Sequence, residues 1–340
     1  MAFSRHLTEL NNKSVRAIFL IGCVYTSTFA LNAGAETWQQ KTAFGDPNLQ
    51  GTWSSATITG LERPAEFGDK LVVSEAQATQ IEKSYAFNVL SELDAKPTDP
   101  NTGAPTDGDA GAGYNAFWID PGKTLMRVQG EARTSFITNP ANGKIPYSGA
   151  GRGAFMRGAA SMGTDNPEQR PLGERCLVGF GSSGGPPMLP VLYNNHYQIV
   201  QSPGYVMIMV EMNHDARIIR LGEPHNDERI HRWLGDSVGY WEGNTLVVKT
   251  RNVHPQQTHR YAYKQTLYVP SDAVITERFT RVSQDELVYE FTIEHPTAYT
   301  QTWTGELSMR TTKENIYEYA CHEGNYAMPG ILAGARGEGR

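Results

Sequence analysis

The sequence predicts a mainly β fold, an antiparallel meander that closes into a barrel, with one packed α-helix and long loops. Three observations predict it. From residue 191 to residue 326 the chain is near-continuous strand signal, broken by short turn segments such as Ser202-Pro203-Gly204 and Glu242-Gly243-Asn244. The 34 glycines and 19 prolines favour a loop-rich β protein over a helical bundle. Alternation within the runs is strict, with Leu287, Tyr289, Phe291 and Ile293 on one face and Val288, Glu290, Thr292 and Glu294 on the other. Strands joined by short turns hide their edges most easily by curling into a closed barrel, here of lipocalin-like or calycin-like kind.

Residues 1–35 read as an export signal. Lys13 and Arg16 precede an uncharged run from Ala17 to Leu31, and Ala33-Gly34-Ala35 offers a small-residue cleavage site. A competing reading takes Leu20-Ile21-Gly22-Cys23 as a lipoprotein box, but only about six apolar residues would then follow Arg16, short of the usual ~7–15. No other stretch reaches the ~18 apolar residues of a spanning helix. The mature protein is therefore expected in the periplasm or secreted, as a single β-rich domain over 36–340.

Within that domain, 36–146 form an N-terminal part holding the one clear helix, about 74–93. Ser74 is its cap, Gln77 the capping-box partner, and Ile81, Tyr85, Val89 and Leu93 make its apolar stripe. Lys96 to Gly113 is a surface loop without periodicity. Short strand-like runs near Thr124 to Val128 and Thr134 to Thr138 come next. Residues 147–190 form a long Gly/Pro-rich loop region, of a length that is usually functional or packed over a site. Residues 191–326 make the main meander and 327–340 a C-terminal tail.

The chain carries a formal charge of −6 at pH 7, and losing Arg5, Lys13, Arg16 and Glu9 with the signal makes it more acidic. Such a surface gives nucleic acid no electrostatic reason to bind. Of the three cysteines, Cys23 leaves with the signal, so Cys176 and Cys321 are expected to pair in an oxidising compartment. On the chain-entropy model so long a closed loop contributes on the order of 4–5 kcal/mol. Two free thiols, with Cys321 a nucleophile beside His322, are the alternative.

The strings "YNNHYQIVQSPGYV", "EMNHDARIIRL", "GDSVGYWEGNTLVVKT", "ERFTRVSQDELVYEFTIEHP" and "YEYACHEGNY" together resemble a family of exported bacterial proteins known mainly as hypothetical proteins. The resemblance covers nearly all of the mature chain. It implies export, a Cys176 to Cys321 pairing and one folded unit, and it brings no catalytic assignment.

Chemistry is expected at strand ends beside apolar runs. Glu211 ends a run in which Tyr205, Met207 and Met209 share a face. If that face lines the barrel, Glu211 stands at the mouth of an apolar cavity, where desolvation raises its pKa toward acid/base use. His214 and Asp215 follow it. The competing reading pairs Glu211 with Arg217 or Arg278 in the sheet. Along Ile316 to His322, a disulfide at Cys321 would fix His322, with Glu318 or Glu323 orienting it. Alternatively His322, Glu323 and Asn325 only build a turn.

The expected function is an exported, cofactor-independent lyase or isomerase acting on a small apolar or cyclic organic molecule. His322 and Glu211 would exchange protons, His214 and Asp215 assist, and Arg133 or Arg217 steady negative charge. Glu323, Asn325, Tyr289 and Trp241 would contact the substrate. The rival is a lipocalin-like periplasmic carrier or sensor of a small hydrophobic ligand. A metal-dependent hydrolase or lyase is a third reading, since His214, Asp215, His225, His231, His322 and Glu323 are acceptable ligand types for a divalent metal. No HExxH, HxH or paired CxxC supports it. "GSSGG", Gly181 to Gly185, resembles a nucleophile motif but lacks the strand-turn-helix context. The aromatics Trp233, Tyr240, Trp241, Tyr261, Tyr263 and Tyr268 read as core or cross-strand packing before ligand stacking. Oligomeric state is not set by the sequence.

Overall fold

The computed structural model describes Trp38 and residues 40–86, 88–89, 121–179 and 181–338. The expected export signal over 1–35, with Cys23, lies outside the described residues, as do Leu93 and the loop read over 96–113. In chain order the elements are β1 (Gly51–Ser54), β2 (Val72–Val73), α1 (Glu75–Ser84), β3 (Arg127–Val128), β4 (Glu131–Arg133), β5 (Ile137–Asn139) and α2 (Gly149–Ala160). Then come β6 (His196–Ser202), β7 (Tyr205–Val210), β8 (Ala216–Leu221), β9 (Asp236–Glu242), β10 (Thr245–Arg251), β11 (His259–Ala262) and β12 (Gln265–Tyr268). The last are β13 (Val274–Arg281), β14 (Glu286–Glu294), β15 (Trp303–Thr311) and α3 (Ala327–Glu338).

Nine strands, in the order β1-β6-β7-β8-β9-β10-β13-β14-β15, form a ring. It closes where Trp53 and Ser54 pair with Thr311 and Arg310. The expected mainly β barrel is therefore the observed fold. Tight hairpins join its neighbours: Glu242 faces Thr245 across Gly243-Asn244, and Gly243 takes φ +60°, a left-handed conformation that suits glycine. The antiparallel alternation is broken once, at β8 and β9, which run parallel with Ile219 opposite Ser237, and β11 and β12 leave the ring between β10 and β13 as a separate hairpin. An odd-membered ring cannot alternate direction all the way round, so one parallel pair is obligatory. The connection from Leu221 to Asp236 supplies the crossover such a pair requires.

The N-terminal part adds a three-stranded sheet, β2-β4-β3, and α1, which share a small core of Ile58, Val73, Ala78, Leu125 and Ala132. The capping box of Ser74 and Gln77 is formed. Helix α1 breaks after Ser84, where Tyr85 is extended and the Asn88 side chain takes the Glu82 carbonyl at 2.7 Å, and residues 86, 88 and 89 are helical again; the expected end near residue 93 lies outside the described residues. Two helices stand where none was expected. One, α2, lies in the 147–190 loop region, capped by Ser148, whose Oγ accepts the Gly151 N–H at 3.0 Å. The other, α3, occupies the tail, with Asn325 Oδ1 accepting the Ala327 N–H at 3.3 Å.

Among the described residues the apolar hollow expected inside the barrel is absent. Trp53, Tyr197, Phe279, Tyr289, Phe291 and Trp303 are each 0 or 1% exposed, which leaves no water-sized void against them. Residues 182–191 are buried throughout and plug one end. Tyr197 Oη donates to the Ser183 carbonyl at 3.0 Å, and Tyr289 Oη accepts the Met188 N–H at 2.9 Å. The "GSSGG" segment is thus part of this stopper.

A hydrogen-bonded ion pair sits within the apolar interior. Arg217 of β8 grips Glu277 of β13 with two nitrogens at 3.0 and 2.6 Å, and Tyr289 Oη donates to the same carboxylate at 2.8 Å. Ser237 and Thr250 complete the network. Burial, and then the charge of Glu277, push the Tyr289 pKa well above its ordinary value, so the phenol stays a donor. Arg217→Met would leave the Glu277 carboxylate buried without its hydrogen-bonded counter-charge. Urea denaturation is expected to show a loss of about 3–5 kcal/mol, largely recovered when Glu277→Leu is added.

Candidate functional site

The residues that stand out in the sequence fall into separate places. Glu211 follows β7 and is 4% exposed. Its carboxylate pairs with neither Arg217 nor Arg278: His196 Nδ1 donates to Oε2 at 2.8 Å and the His196 backbone N–H at 3.2 Å. His196 Nε2 lies 3.3 Å from Glu314 Oε2, so the ring is held between two carboxylates. Burial pushes the Glu211 pKa up, but the His196 hydrogen bond and charge, with main-chain N–H groups of His196 and Tyr317, outweigh it and hold the carboxyl below its usual value. That is the opposite of the shift expected for a general acid.

His214 is exposed, and its Nδ1 accepts the Tyr319 N–H at 3.4 Å. Asp215 accepts the Gly179 N–H at 2.8 Å, and burial raises its pKa. Cys176 and Cys321 form the expected disulfide, with Cα atoms 5.7 Å apart. His322 and Glu323 are exposed beside it, and His322 and Asn325 line a shallow depression of about 330 Å³. Among the described residues no hydrogen bond, ion pair or cleft links His322 to Glu211. Arg133 is taken by Glu131 at 2.7 Å and Glu306 at 2.6 Å. Arg217 and Tyr289 belong to the barrel interior, and Trp241 packs against its core. His225 shares a hydrogen bond with its own partner, Asp236, at 3.0 Å.

What these residues share is mechanical. The Glu211–His196–Glu314 chain, the His214 to Tyr319 bond, the Asp215 to Gly179 bond and the disulfide fasten the segments around 314–321 and 176–179 to one end of the barrel.

The chain around 168–179 borders a cleft of about 450 Å³ together with α2 and the β11–β12 hairpin, and the hairpin rests on the plug, the Ser182 N–H donating to the Tyr261 carbonyl at 2.7 Å and the Tyr263 N–H to the Pro190 carbonyl at 2.8 Å. His259 of β11 lies in its wall, with Nε2 2.9 Å from the Phe155 carbonyl of α2 and Nδ1 3.4 Å from Thr258 Oγ1. The approach of α2 to this ring demands glycine at 158, where an added Cβ would overlap the imidazole of His259. Phe155 stacks on the imidazole at 5.7 Å and Tyr268 tilts against it at 5.3 Å. Tyr261 and Tyr268 line the cleft, whereas Tyr263 is buried. His259 is absent from the residues expected to carry the chemistry. Its signal is the alternation of His259 and Tyr261 on one strand face, with Tyr268 opposite His259 in the hairpin.

Fold and cleft together define a closed β-barrel with a plugged interior and a ligand-sized cleft outside the plug. Compared with known proteins, the chain matches no family model, no curated protein and no solved structure. Among the described residues no helix is long and apolar enough to cross a membrane, and no group of three or more His, Cys, Asp or Glu side chains is placed to hold a metal ion.

Because the folded-state pKa of Glu211 is depressed, its contribution to stability is complete above the unfolded value of about 4.3 and is lost as pH falls through the lowered folded value. Thermal melts are expected to show the wild type losing stability between about pH 5 and about pH 3 more steeply than Glu211→Gln.

Proposed function

We propose that the protein is a cofactor-independent enzyme, a lyase or isomerase, that acts outside the cytoplasm on a small cyclic organic molecule in the cleft beside the plug, with His259 as the proton-transfer residue. The fixed tautomer of His259 carries this reading. A carbonyl oxygen only accepts, so the 2.9 Å contact with Phe155 places the hydrogen on Nε2 and the lone pair on Nδ1. A histidine oriented in this way in a cleft wall is equipped as a general base. Nδ1 would take a proton from a carbon beside an activating group of the substrate. The imidazolium would then return it to another carbon of the same molecule, giving an isomer, or to a leaving group, completing an elimination. The cleft volume, about 450 Å³, suits a molecule of one or two rings. The disulfide supports an oxidising compartment and hence export.

The filled barrel weighs against the lipocalin-like carrier, whose ligand would need the axial space that Tyr289, Trp303 and Met188 occupy. Hydrogen exchange tests for proton abstraction directly, whichever molecule is the natural substrate. A library of small cyclic acids, ketones and lactones is incubated with the mature protein in D₂O, and deuterium incorporation is read by mass spectrometry. The wild type is expected to label at least one compound, with His259→Gln slower by about 10²–10⁴. Gly158→Ala, which pushes the ring out of place, should also slow it. Labelling that survives His259→Gln unchanged would overturn the assignment.

A further inference from the structure

The chain as a whole is acidic, with a formal charge of −6, yet the cleft is not. Of its lining arginines, Arg170 is neutralised by two bonds to Glu174 at 2.8 and 2.9 Å. Arg157 and Arg175 also line it, and among the described residues neither has a carboxylate within ion-pair distance. Glu168 is the one acidic side chain among the lining residues.

A further cation stands behind the wall. Arg260 lies between His259 and Tyr261 in β11, so its side chain leaves the opposite face of the strand; it is 1% exposed. Its Nε donates to the Gln257 carbonyl at 3.1 Å, while Nη1 and Nη2 have no partner among the described residues. The carboxylate whose charge it feels, Glu277, is already gripped by Arg217. Two buried guanidinium groups thus face one buried carboxylate, and a positive charge is left over. Burial pushes the Arg260 pKa down to about 10, which still leaves it protonated at neutral pH. A buried charge is weakly screened, and an uncompensated one is costly, so an anion drawn into the neighbouring cleft gains from both its own arginines and this one. Tyr261 and Tyr268 add flat apolar surface beside these charges.

We propose that the cleft takes a cyclic or aromatic carboxylate, its ring against Tyr261 and Tyr268, its carboxylate held by Arg157 and Arg175 and attracted by Arg260 through the strand. The proposal rests on the cleft being the ligand site, as set out above, and names the ligand class.

Calorimetric titration of the full mature protein with benzoate, cyclohexanecarboxylate, phenyl phosphate and neutral benzamide tests it. The two carboxylates are expected to bind at least about tenfold more tightly than benzamide, a margin that shrinks with added salt. Arg157→Gln and Arg175→Gln should each weaken benzoate by about tenfold and leave benzamide unchanged. Arg260→Met should weaken benzoate by a few-fold although it touches no ligand; if that variant does not fold, the other two carry the test. Benzamide binding as tightly as benzoate, a preference for phenyl phosphate, or benzoate affinity indifferent to both surface arginines would overturn the ligand class. The same titration on His259→Gln separates the two claims: benzoate selectivity retained alongside unchanged deuterium labelling would overturn the proton-transfer role alone.

Discussion

The structure turns on the ion pair between Arg217 and Glu277 at the heart of the barrel. A charged pair there is tolerable only if every polar atom around the carboxylate is used, and it nearly is. Two guanidinium nitrogens and the Tyr289 phenol bond to Glu277, and Ser237 and Thr250 fill in around Arg217. This links β8, β9, β10, β13 and β14, including the one parallel pair in the ring. Tyr289 extends the network to the Met188 N–H, so the plug is bonded to the same centre. A barrel organised in this way has its axis occupied, so any ligand would need a place elsewhere.

The cleft outside the plug offers that place because three covering pieces meet there. The helix α2 brings the Phe155 carbonyl and the gap at Gly158; the β11–β12 hairpin brings His259 and the tyrosines; the chain around 168–179 brings arginines. The third piece has little regular structure of its own. It is fixed by the disulfide and by the Asp215 to Gly179 bond. Of the residues that look chemical in the sequence, Asp215 and Cys321 fasten the chain around 176–179 that borders the cleft, and Glu211 and His214 fasten the segment around 314–319. The acid/base reading keeps its chemistry and changes its residues.

Much of the barrel is legible in the sequence because alternation is a local signal. Leu287, Tyr289, Phe291 and Ile293 all point into the core, as their spacing requires. The parallel crossing of β8 and β9 is not, since it follows from closing a ring with an odd number of strands. The helix α2 is hidden by composition: "GAGRGAFMRGAA" has poor intrinsic helix propensity, and it is tertiary contact, Phe155 on His259 and Tyr147, that holds it. Ser148 as its cap is the available clue. Glu211 is recognisable as a buried carboxylate at a strand end, but its partner His196 lies one strand away. His259 carries no such mark because the group that fixes its tautomer is a main-chain carbonyl, which no side-chain motif can announce.

The account rests on ligand chemistry taking place outside a solid barrel, in the cleft between α2 and the β11–β12 hairpin. Crystals soaked with 4-bromobenzoate, with data collected at the bromine edge, test it most directly. An anomalous peak between α2 and the β11–β12 hairpin, within reach of His259, is the result predicted. A peak inside the ring of nine strands, with the plug displaced, would contradict it.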